Sequence, residues 1–584
     1  MTDFAVRTGG QAGDGIASIG ETLSRCFSRL GWHVFGLNAY QSVIRGGHVW
    51  FQARTSDARP YSQGDQADVL YALDKQTVSV HANSLRRGGV VVYDPEKFQV
   101  AADDLPAGVK ALGVPTLEFA RKYTSQSILQ NAGGMGASAY LSGIPLDVLL
   151  QALRDSFGKK ADEVVEWNVG AATAGYEFAR SHGSQSDHAI SRRGPAKLLM
   201  NGNAAIALGA AAAGCKFLAA YPMTPASSIM HWMAAHARSL GIVVKQAEDE
   251  LAAINMAIGA SFGGVRAMTA TSGGGFCLMV EALGMAGMTE TPLVVAECQR
   301  AGPSTGLPTK TEQGDLNLML GAGQSEFPRA ILAPSNAAEA YRATVRAFEL
   351  AEAWQTPILV ASDLHLSENL MTVDREEIRI DVEVPSLFAV APNGHDYHRY
   401  QYTETGVSPR ALPGQPGLQF VAGSDEHDER GHLISDIRSG IPVWVTERER
   451  MMDKRMRKLH GLLAALEPPA WEGPPDADLT FVAWGSTIGA VRDAQAALLA
   501  QGKQTNLLRF PAVYPIDPDR ARAELGKARR TLLVEANYSG QFGRHLRAET
   551  GVHLSERLLK YDGEPFYPHE IVARALGVMG DGGH

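Results

Sequence analysis

The chain has 584 residues, too many for one hydrophobic core and enough, at about 150 residues each, for roughly four domains. With 45% apolar, 20% charged and 7% aromatic residues it has ordinary globular composition, which excludes a disordered or fibrous protein. Lys plus Arg at 54 against Asp plus Glu at 63, net −9, leaves no basic footprint, so no nucleic-acid partner is expected.

In chain order, residues 4–7 and 90–93 read as buried strands and 22–30 as a helix, giving an α/β domain over residues 1–180. Residues 181–196 are polar and small with no apolar period, and read as a linker. Beyond it, strands at 197–200, 217–220, 268–270, 293–297 and 357–362 alternate with helical stretches such as 204–213 and 276–288. That alternation predicts a parallel sheet covered on both faces, a domain over 197–375. Residues 376–470 shift toward Pro, Gly, His and charge, and read as an irregular connection ending in the charged, helix-like stretch 446–466. The last domain, 471–584, opens on a strand at 479–483; Ile488, Val491, Ala494 and Leu498 then form one helical stripe, and 531–534 repeats the strand signal. The fold class expected is α/β with several parallel-sheet domains.

Cys26, Cys215, Cys277 and Cys298 are dispersed, with no Cys-x-x-Cys pair and no histidine at ligand spacing. A zinc or iron–sulfur site built by this chain alone is therefore not expected, nor is a disulfide framework. The start MTDFAVR is no secretory signal, and no stretch reaches about 18 uninterrupted apolar residues. A soluble, cytoplasmic protein with no membrane partner is expected.

Several motifs carry possible chemistry. Residues 8–15 (TGGQAGDG) read as a glycine-rich turn after a strand, where Gly9, Gly10, Gln11 and Gly13 offer backbone amides to a phosphate or to coenzyme A; a purely structural turn uses the same residues. Gly13-Asp14-Gly15 resembles half of a metal–diphosphate motif, but Asn38 is its single available partner and stands at too short a spacing, so no metal ligand is assigned. In residues 221–228 (YPMTPASS) two prolines fix a turn and hydroxyls face a helix start, a cluster that either binds a carboxylate or simply caps the helix. Glu248, Asp249 and Glu250 open the apolar helix 251–258, where acids favour the positive helix end. Glu248 and Glu250 project to nearly opposite sides, so at most one faces an interior site.

Residues 269–275 form another strand, glycine-rich turn and helix start, and Thr271, Ser272, Gly273 and Gly274 let backbone approach a ligand closely. Arg300 ends a strand, where open α/β sheets place ligands and a guanidinium fork suits a carboxylate; a solvated surface arginine is the other reading. Residues 308–315 gather hydroxyl, amide and acid groups. His427 and His432, in a loop, make a poor metal pair, and residues 537–542 read mainly as packing.

Together, YPMTP, the QAEDE helix start at 246–250, residues 269–275 and residues 299–306 (QRAGPSTG) resemble the 2-oxoacid:ferredoxin oxidoreductases. The likeness is to an alpha subunit with a gamma-type domain fused in front, of the kind that acts on 2-oxoglutarate. Residues 8–15, Arg45-Gly46-Gly47, Trp484-Gly485-Ser486 and residues 537–541 extend it over nearly the whole chain, with Ala12, Met223 and Ala226 as mild departures.

The resemblance implies a pyrimidine-side thiamine-diphosphate domain at 197–375 and a transketolase C-terminal-like domain at 471–584. It implies a beta subunit that holds the diphosphate, Mg2+ and a [4Fe-4S] cluster, in an (alpha-beta)2 heterotetramer served by ferredoxin. The implied reaction is oxidative decarboxylation of a 2-oxoacid with coenzyme A, most plainly 2-oxoglutarate to succinyl-CoA and carbon dioxide, in either direction. Pyruvate or a branched-chain or aryl 2-oxoacid is the alternative substrate, and a non-redox thiamine enzyme or a nucleotide-binding scaffold the alternative function.

By the same resemblance Glu250 bonds the pyrimidine ring nitrogen and favours the imino tautomer. Tyr221, Pro222, Thr224 and Arg300 bind substrate, the last two through its carboxylate, and Thr271, Ser272, Gly273 and Gly274 approach the cofactor.

Overall fold

The computed structural model describes residues 2–43, 46–183, 185–186, 188–386, 388, 396–434 and 443–580. Arg45, singled out above, lies outside them. The chain forms two compact units: Met1–Asn201 with Glu368–Glu377 and Tyr567–Glu570, and Gly202–Ser367 with Ile378–Phe566 and Ile571–His584.

The first unit is built on an eight-stranded sheet in the order Lys110–Gly113, Leu85–Tyr93, Ala67–Ala72, Asp3–Ala12, Gly46–Ser56, His33–Ala39, Leu370–Val373, Leu198–Asn201. Asp3–Ala12 sits centrally and is buried along most of its length, as a strand covered on both faces must be. It pairs in parallel with Ala67–Ala72, Val6 opposite Val69, and antiparallel with Gly46–Ser56, Arg7 opposite Gln52. The sheet is thus mixed, a departure from the parallel expectation: the four strands from Lys110–Gly113 to Asp3–Ala12 are parallel and the remaining pairings antiparallel. The strands Leu198–Asn201 and Leu370–Val373, which the sequence groups with the second domain, complete the edge of this first sheet. Thr372 Oγ1 accepts from Val34 N at 2.9 Å there.

The second unit contains two further sheets. In the seven-stranded one, Ala512–Tyr514 forms an antiparallel edge, followed by the parallel strands Ala330–Leu332, Pro357–Asp363, Leu293–Gln299, Ala267–Thr271, Phe217–Ala220 and Val243–Gln246. In the five-stranded one, Leu479–Trp484 lies between Thr505–Phe510 and Thr531–Glu535, with Ala470–Glu472 antiparallel at one edge and Glu556–Leu559 parallel at the other. One continuous core joins them, with Ile254, Phe276, Met279 and Leu283 packed in the same cluster as Trp484, Phe510 and Phe542. Because the central strands of the seven-stranded sheet run in parallel, their C-terminal ends and the loops that follow share one edge, where open α/β sheets gather ligands.

Within 376–470 the charged stretch is the helix Val443–Ala465. It is not simply solvated: Lys454 and Lys458 are fully buried and both hold the carboxylate of Glu290, each at 2.5 Å. No helix among the described residues is long and apolar enough to cross a membrane.

Candidate active site

Three adjacent parallel strands, Phe217–Ala220, Ala267–Thr271 and Leu293–Gln299, deliver the candidate residues. The first runs into the loop 221–226 and the helix Ser227–Leu240. Asn203, fully buried, fastens that loop: its Nδ2 donates to Pro225 O and to Ser228 Oγ, both at 2.7 Å. Tyr221 is exposed, and Pro222 and Thr224 are half-buried. Arg300, following the third strand, donates from Nη1 to Thr224 O at 2.8 Å. The structure therefore brings Thr224 and Arg300 together, through the threonine carbonyl.

The helix Glu250–Phe262 is capped by Asp249, whose Oδ1 accepts from Ala252 N at 2.7 Å. Of the two flanking acids, Glu248 is exposed and Glu250 is 3% exposed; the helix starts at Glu250, so Glu248 lies ahead of the cap and not on the helix on which the sequence reading placed it. Glu250 Oε1 is buried without a hydrogen-bond partner among the described residues. Burial pushes this carboxyl above its ordinary range, and Asp249 adds to the rise.

The middle strand ends at Thr271, Ser272 caps from extended backbone, and the helix Gly273–Met288 follows. The glycines here make room for acids. A Cβ on Gly275 would strike the Thr271 hydroxyl and the Glu250 carboxyl, and one on Gly273 would strike the Asp315 carboxylate, whereas Gly274 is open, its nearest neighbours at 3.9–4.0 Å. The hydroxyls of Thr269 and Ser272 are buried and lack partners among the described residues. Thr271, Ser272, Gly273 and Gly274 thus lie at one helix start beside Glu250.

A second group of acids flanks Arg300. Glu297, in register with Thr271, is fully buried; burial and the neighbouring Asp315 push its carboxyl well up. Burial raises Asp315 to about 6 and, with Asp315 beside it, Glu312 to about 7. The loop carrying Glu312 and Asp315 is held by the five-stranded sheet and the turn that follows its strand Thr531–Glu535. Gln313 Nε2 donates to Trp484 O at 2.9 Å, Ala536 N donates to Gln313 Oε1 at 3.0 Å, and Asn537 Nδ2 donates to Gln313 O at 2.9 Å. Asn537 Nδ2 also donates to Glu535 Oε1 at 2.8 Å.

Sequence reasoning missed Asn203, Gly275, Glu297 and the pairing of Asp315. The available signal for Glu297 was a lone acid inside an otherwise apolar strand, LVVAECQ. A cavity of about 430 Å³, lined in part by Arg342, Arg346 and Arg509, includes none of these site residues.

In the first unit the expected turn at residues 8–15 is corrected. Gly9, Gly10 and Gln11 belong to the strand Asp3–Ala12, opposite Trp50, Val49 and His48, and the turn begins only at Gly13. Gln11 N donates to Asp14 Oδ2 at 3.0 Å and Asp14 N to Gln11 O at 3.0 Å, so the Gln11 amide closes its own turn. A side chain on Gly9 would meet Thr77 at 2.6 Å and His48 at 3.2 Å, which explains a glycine in mid-strand. His48 Nε2 and His81 Nε2 lie 2.8 Å apart, and His81 Nδ1 accepts from Arg7 Nη1 at 3.1 Å.

Two family models match the chain: "Pyruvate ferredoxin/flavodoxin oxidoreductase" over residues 5–178 and "Pyruvate flavodoxin/ferredoxin oxidoreductase, thiamine diP-bdg" over residues 208–442. The 2-oxoacid:ferredoxin oxidoreductase subunit alpha of a Sulfolobus species is 32% identical, covering 98% of this chain and 96% of its own. The 2-oxoglutarate oxidoreductase subunit KorA of Mycobacterium tuberculosis is 29% identical, covering 98% and 91%. The solved 2-oxoglutarate:ferredoxin oxidoreductase of Magnetococcus marinus, with 2-oxoglutarate, coenzyme A and succinyl-CoA bound, superposes with a TM-score of 0.91 at 32% identity, over 99% of this chain and 100% of that one. With strand ends that gather Glu250, Thr224 and Arg300 and a likeness that runs the full length of its relatives, the chain belongs to the 2-oxoacid:ferredoxin oxidoreductase alpha subunits.

Proposed function

We propose that this chain is the pyrimidine-side subunit of a complex that oxidatively decarboxylates 2-oxoglutarate with coenzyme A, yielding succinyl-CoA, carbon dioxide and electrons for ferredoxin. The observation that carries the proposal is Glu250: a carboxyl 3% exposed, with a partnerless oxygen, at a helix start shared with Thr271 and Gly275. An acid so placed, with its affinity for a proton raised by burial, is suited to bond a ring nitrogen of thiamine diphosphate. Thr269, Thr271 and Ser272 line the same helix start with buried hydroxyls. The cofactor, when bound, supplies the electron sink that lets carbon dioxide leave a 2-oxoacid.

The chain's own residues bind and orient the substrate. Arg300 offers charged N–H donors to the C1 carboxylate, and its bond to Thr224 O fixes the guanidinium against the 221–226 loop. Tyr221 and Pro222 line the same loop. Exposed apolar side chains on the two helices that open at the site, Leu251, Met256 and Leu278, fit a face covered by a beta subunit that brings the diphosphate, Mg2+ and iron–sulfur cluster. The substrate choice is supported by the two relatives named for 2-oxoglutarate. In the first unit, the turn that begins at Gly13, past the strand that holds Gly9, Gly10 and Gln11, is the part left to contact coenzyme A or a phosphate.

The experiment is co-expression with the partner chain, followed by anaerobic reduction of ferredoxin by 2-oxoglutarate, pyruvate, 2-oxoisovalerate and phenylpyruvate, each with and without coenzyme A. The proposal expects coenzyme A-dependent reduction with the highest kcat/KM for 2-oxoglutarate. A higher value for another 2-oxoacid refutes the substrate, and no reduction with any of them refutes the reaction.

A further inference from the structure

We infer that Glu297 and Asp315 share a single proton, and that this pair is a positioning element that keeps Arg300 open to an anionic substrate. The substrate half rests on the functional reading above; the shared proton rests on the enclosure of Glu297, on the absence of a donor to its oxygens among the described residues and on the placement of Asp315. Glu297 lies on the strand Leu293–Gln299 with its side chain 0% exposed, and neither of its carboxyl oxygens has a donor among the described residues. The groups that face it are Asp315 from the following loop, Asp363 from the neighbouring strand and Cys277 from the helix Gly273–Met288. None of these brings a positive charge. Asp363 is already engaged, its Oδ1 accepting from Leu366 N at 3.0 Å and from Thr311 Oγ1 at 3.4 Å. Asp315 comes to the same place: its carboxylate packs on Gly273, two residues beyond Thr271, and Thr271 is in register with Glu297.

Two ionised carboxylates in contact repel, and neither can donate. One proton converts the clash into a donor and an acceptor. Enclosure assigns the proton to Glu297, because an unpaired buried carboxylate is the costlier anion. Asp315 keeps the negative charge, since Arg300 faces it. Glu297 O–H therefore donates to the Asp315 carboxylate. That carboxylate in turn packs on Gly273 and anchors its loop through Asp315 N, which donates to Gln299 Oε1 at 3.1 Å.

The charge count gives the pair its consequence. With Glu297 neutral, Asp315 is the one anion of the pair to stand against Arg300. Loss of the proton leaves two anions against one guanidinium, and an anionic substrate is repelled. Glu312, raised to about 7, is the other titrating acid of this loop and has to be separated from Glu297 by experiment.

The test uses the purified complex with its partner chain. Difference infrared spectra of wild type against Glu297→Gln at neutral pH should contain the C=O stretch of a protonated carboxylic acid, sensitive to D2O, that the variant lacks. In steady-state kinetics the wild-type KM for the 2-oxoacid should climb roughly tenfold on the alkaline side, the loss of about one charge-assisted contact, with kcat little changed. Glu297→Gln supplies an N–H donor that cannot ionise, so it should flatten that climb, whereas Glu297→Ala, with no donor, should raise KM at every pH. Identical spectra for wild type and Glu297→Gln overturn the shared proton. An alkaline climb that persists in Glu297→Gln and vanishes in Glu312→Gln overturns the positioning role. A complex with no 2-oxoacid turnover refutes the functional reading and the substrate half with it, while the infrared band decides the shared proton by itself.

Discussion

Two adjacent glycines should respond in opposite ways to the same added methyl group. A Cβ on Gly275 would fall within 2.6 Å of Glu250 Cγ, inside any contact a real Cβ makes, and would also strike the Thr271 hydroxyl. Neither neighbour can step aside freely, since both side chains are buried. Overpacking of this kind costs about 1–3 kcal/mol. It must also displace the Glu250 carboxyl, and a shift of about 1 Å in a catalytic group costs on the order of a hundredfold in rate. At Gly274 the same methyl group finds its nearest neighbours at 3.9–4.0 Å on an exposed position, and alanine gains up to about 1 kcal/mol of helix propensity. Denaturant unfolding of the two variants beside wild type is the assay, with ferredoxin reduction as the second readout. Gly275→Ala should have the lower midpoint and about a hundredth of the turnover; Gly274→Ala should unfold at or above the wild-type midpoint. Equal midpoints for the two variants would refute the argument that Gly275 exists to make room for Glu250.

Glu250→Gln preserves volume and should fold normally while losing about 10²–10⁴ in kcat, read by ferredoxin reduction; near wild-type turnover removes the assignment. Arg300→Ala removes one charged donor and should raise KM for the 2-oxoacid roughly tenfold or more, with unchanged kinetics sinking the contact. Asn203→Ala strips two 2.7 Å bonds from the 221–226 loop and should cost about 1–3 kcal/mol in denaturant unfolding. Burial alone holds His365 down to about 4, so the unfolded chain binds the extra proton between there and the ordinary value near 6.5. Stability at this residue is complete above about pH 6.5 and lost as pH falls toward 4, and His365→Gln should flatten that acid limb in pH-dependent thermal melts.

What was legible in the sequence was what short stretches of chain decide. A single inward acid among Glu248 and Glu250 was foreseen from residues two apart, although Glu248 precedes the Asp249 cap and the helix starts only at Glu250. The strand, loop and helix runs at 217–240 and 267–288 were readable for the same reason. Non-local pairing was not. The strands Leu198–Asn201 and Leu370–Val373 carry ordinary apolar signals, and nothing in either says that its partner is the other and that both join the sheet of the first unit. Gly9 and Gly10 read as a turn because glycines usually are; in the strand, Thr77 and His48 occupy the space a side chain on Gly9 would take, and Asp14, Ile16 and Leu73 crowd the one on Gly10. Glu297 was visible as an acid in an apolar strand, but its partner arrives on a loop whose position is set by Trp484 in a different sheet and by Ala536 and Asn537 just past one of that sheet's strands.

The glycines at 273 and 275 are then best understood together. An α-helix start is electropositive and draws anions, and this one has a carboxyl group pressed against it at each of two positions: Asp315 at Gly273 and Glu250 at Gly275. If both acids served only to satisfy the helix end, their carboxyls should titrate low. Both are instead pushed up, because the burial that brings them close also strips away water faster than the helix dipole compensates. A fold optimised for stability alone would replace one acid by a neutral cap and one glycine by alanine. Retaining both pairs keeps two protonatable groups at the start of one helix, one beside the buried hydroxyl of Thr271 and one near Arg300. Gly275 leaves the space that the first occupies, and Gln313, bonded to Trp484 O, Ala536 N and Asn537 Nδ2, holds the loop of the second.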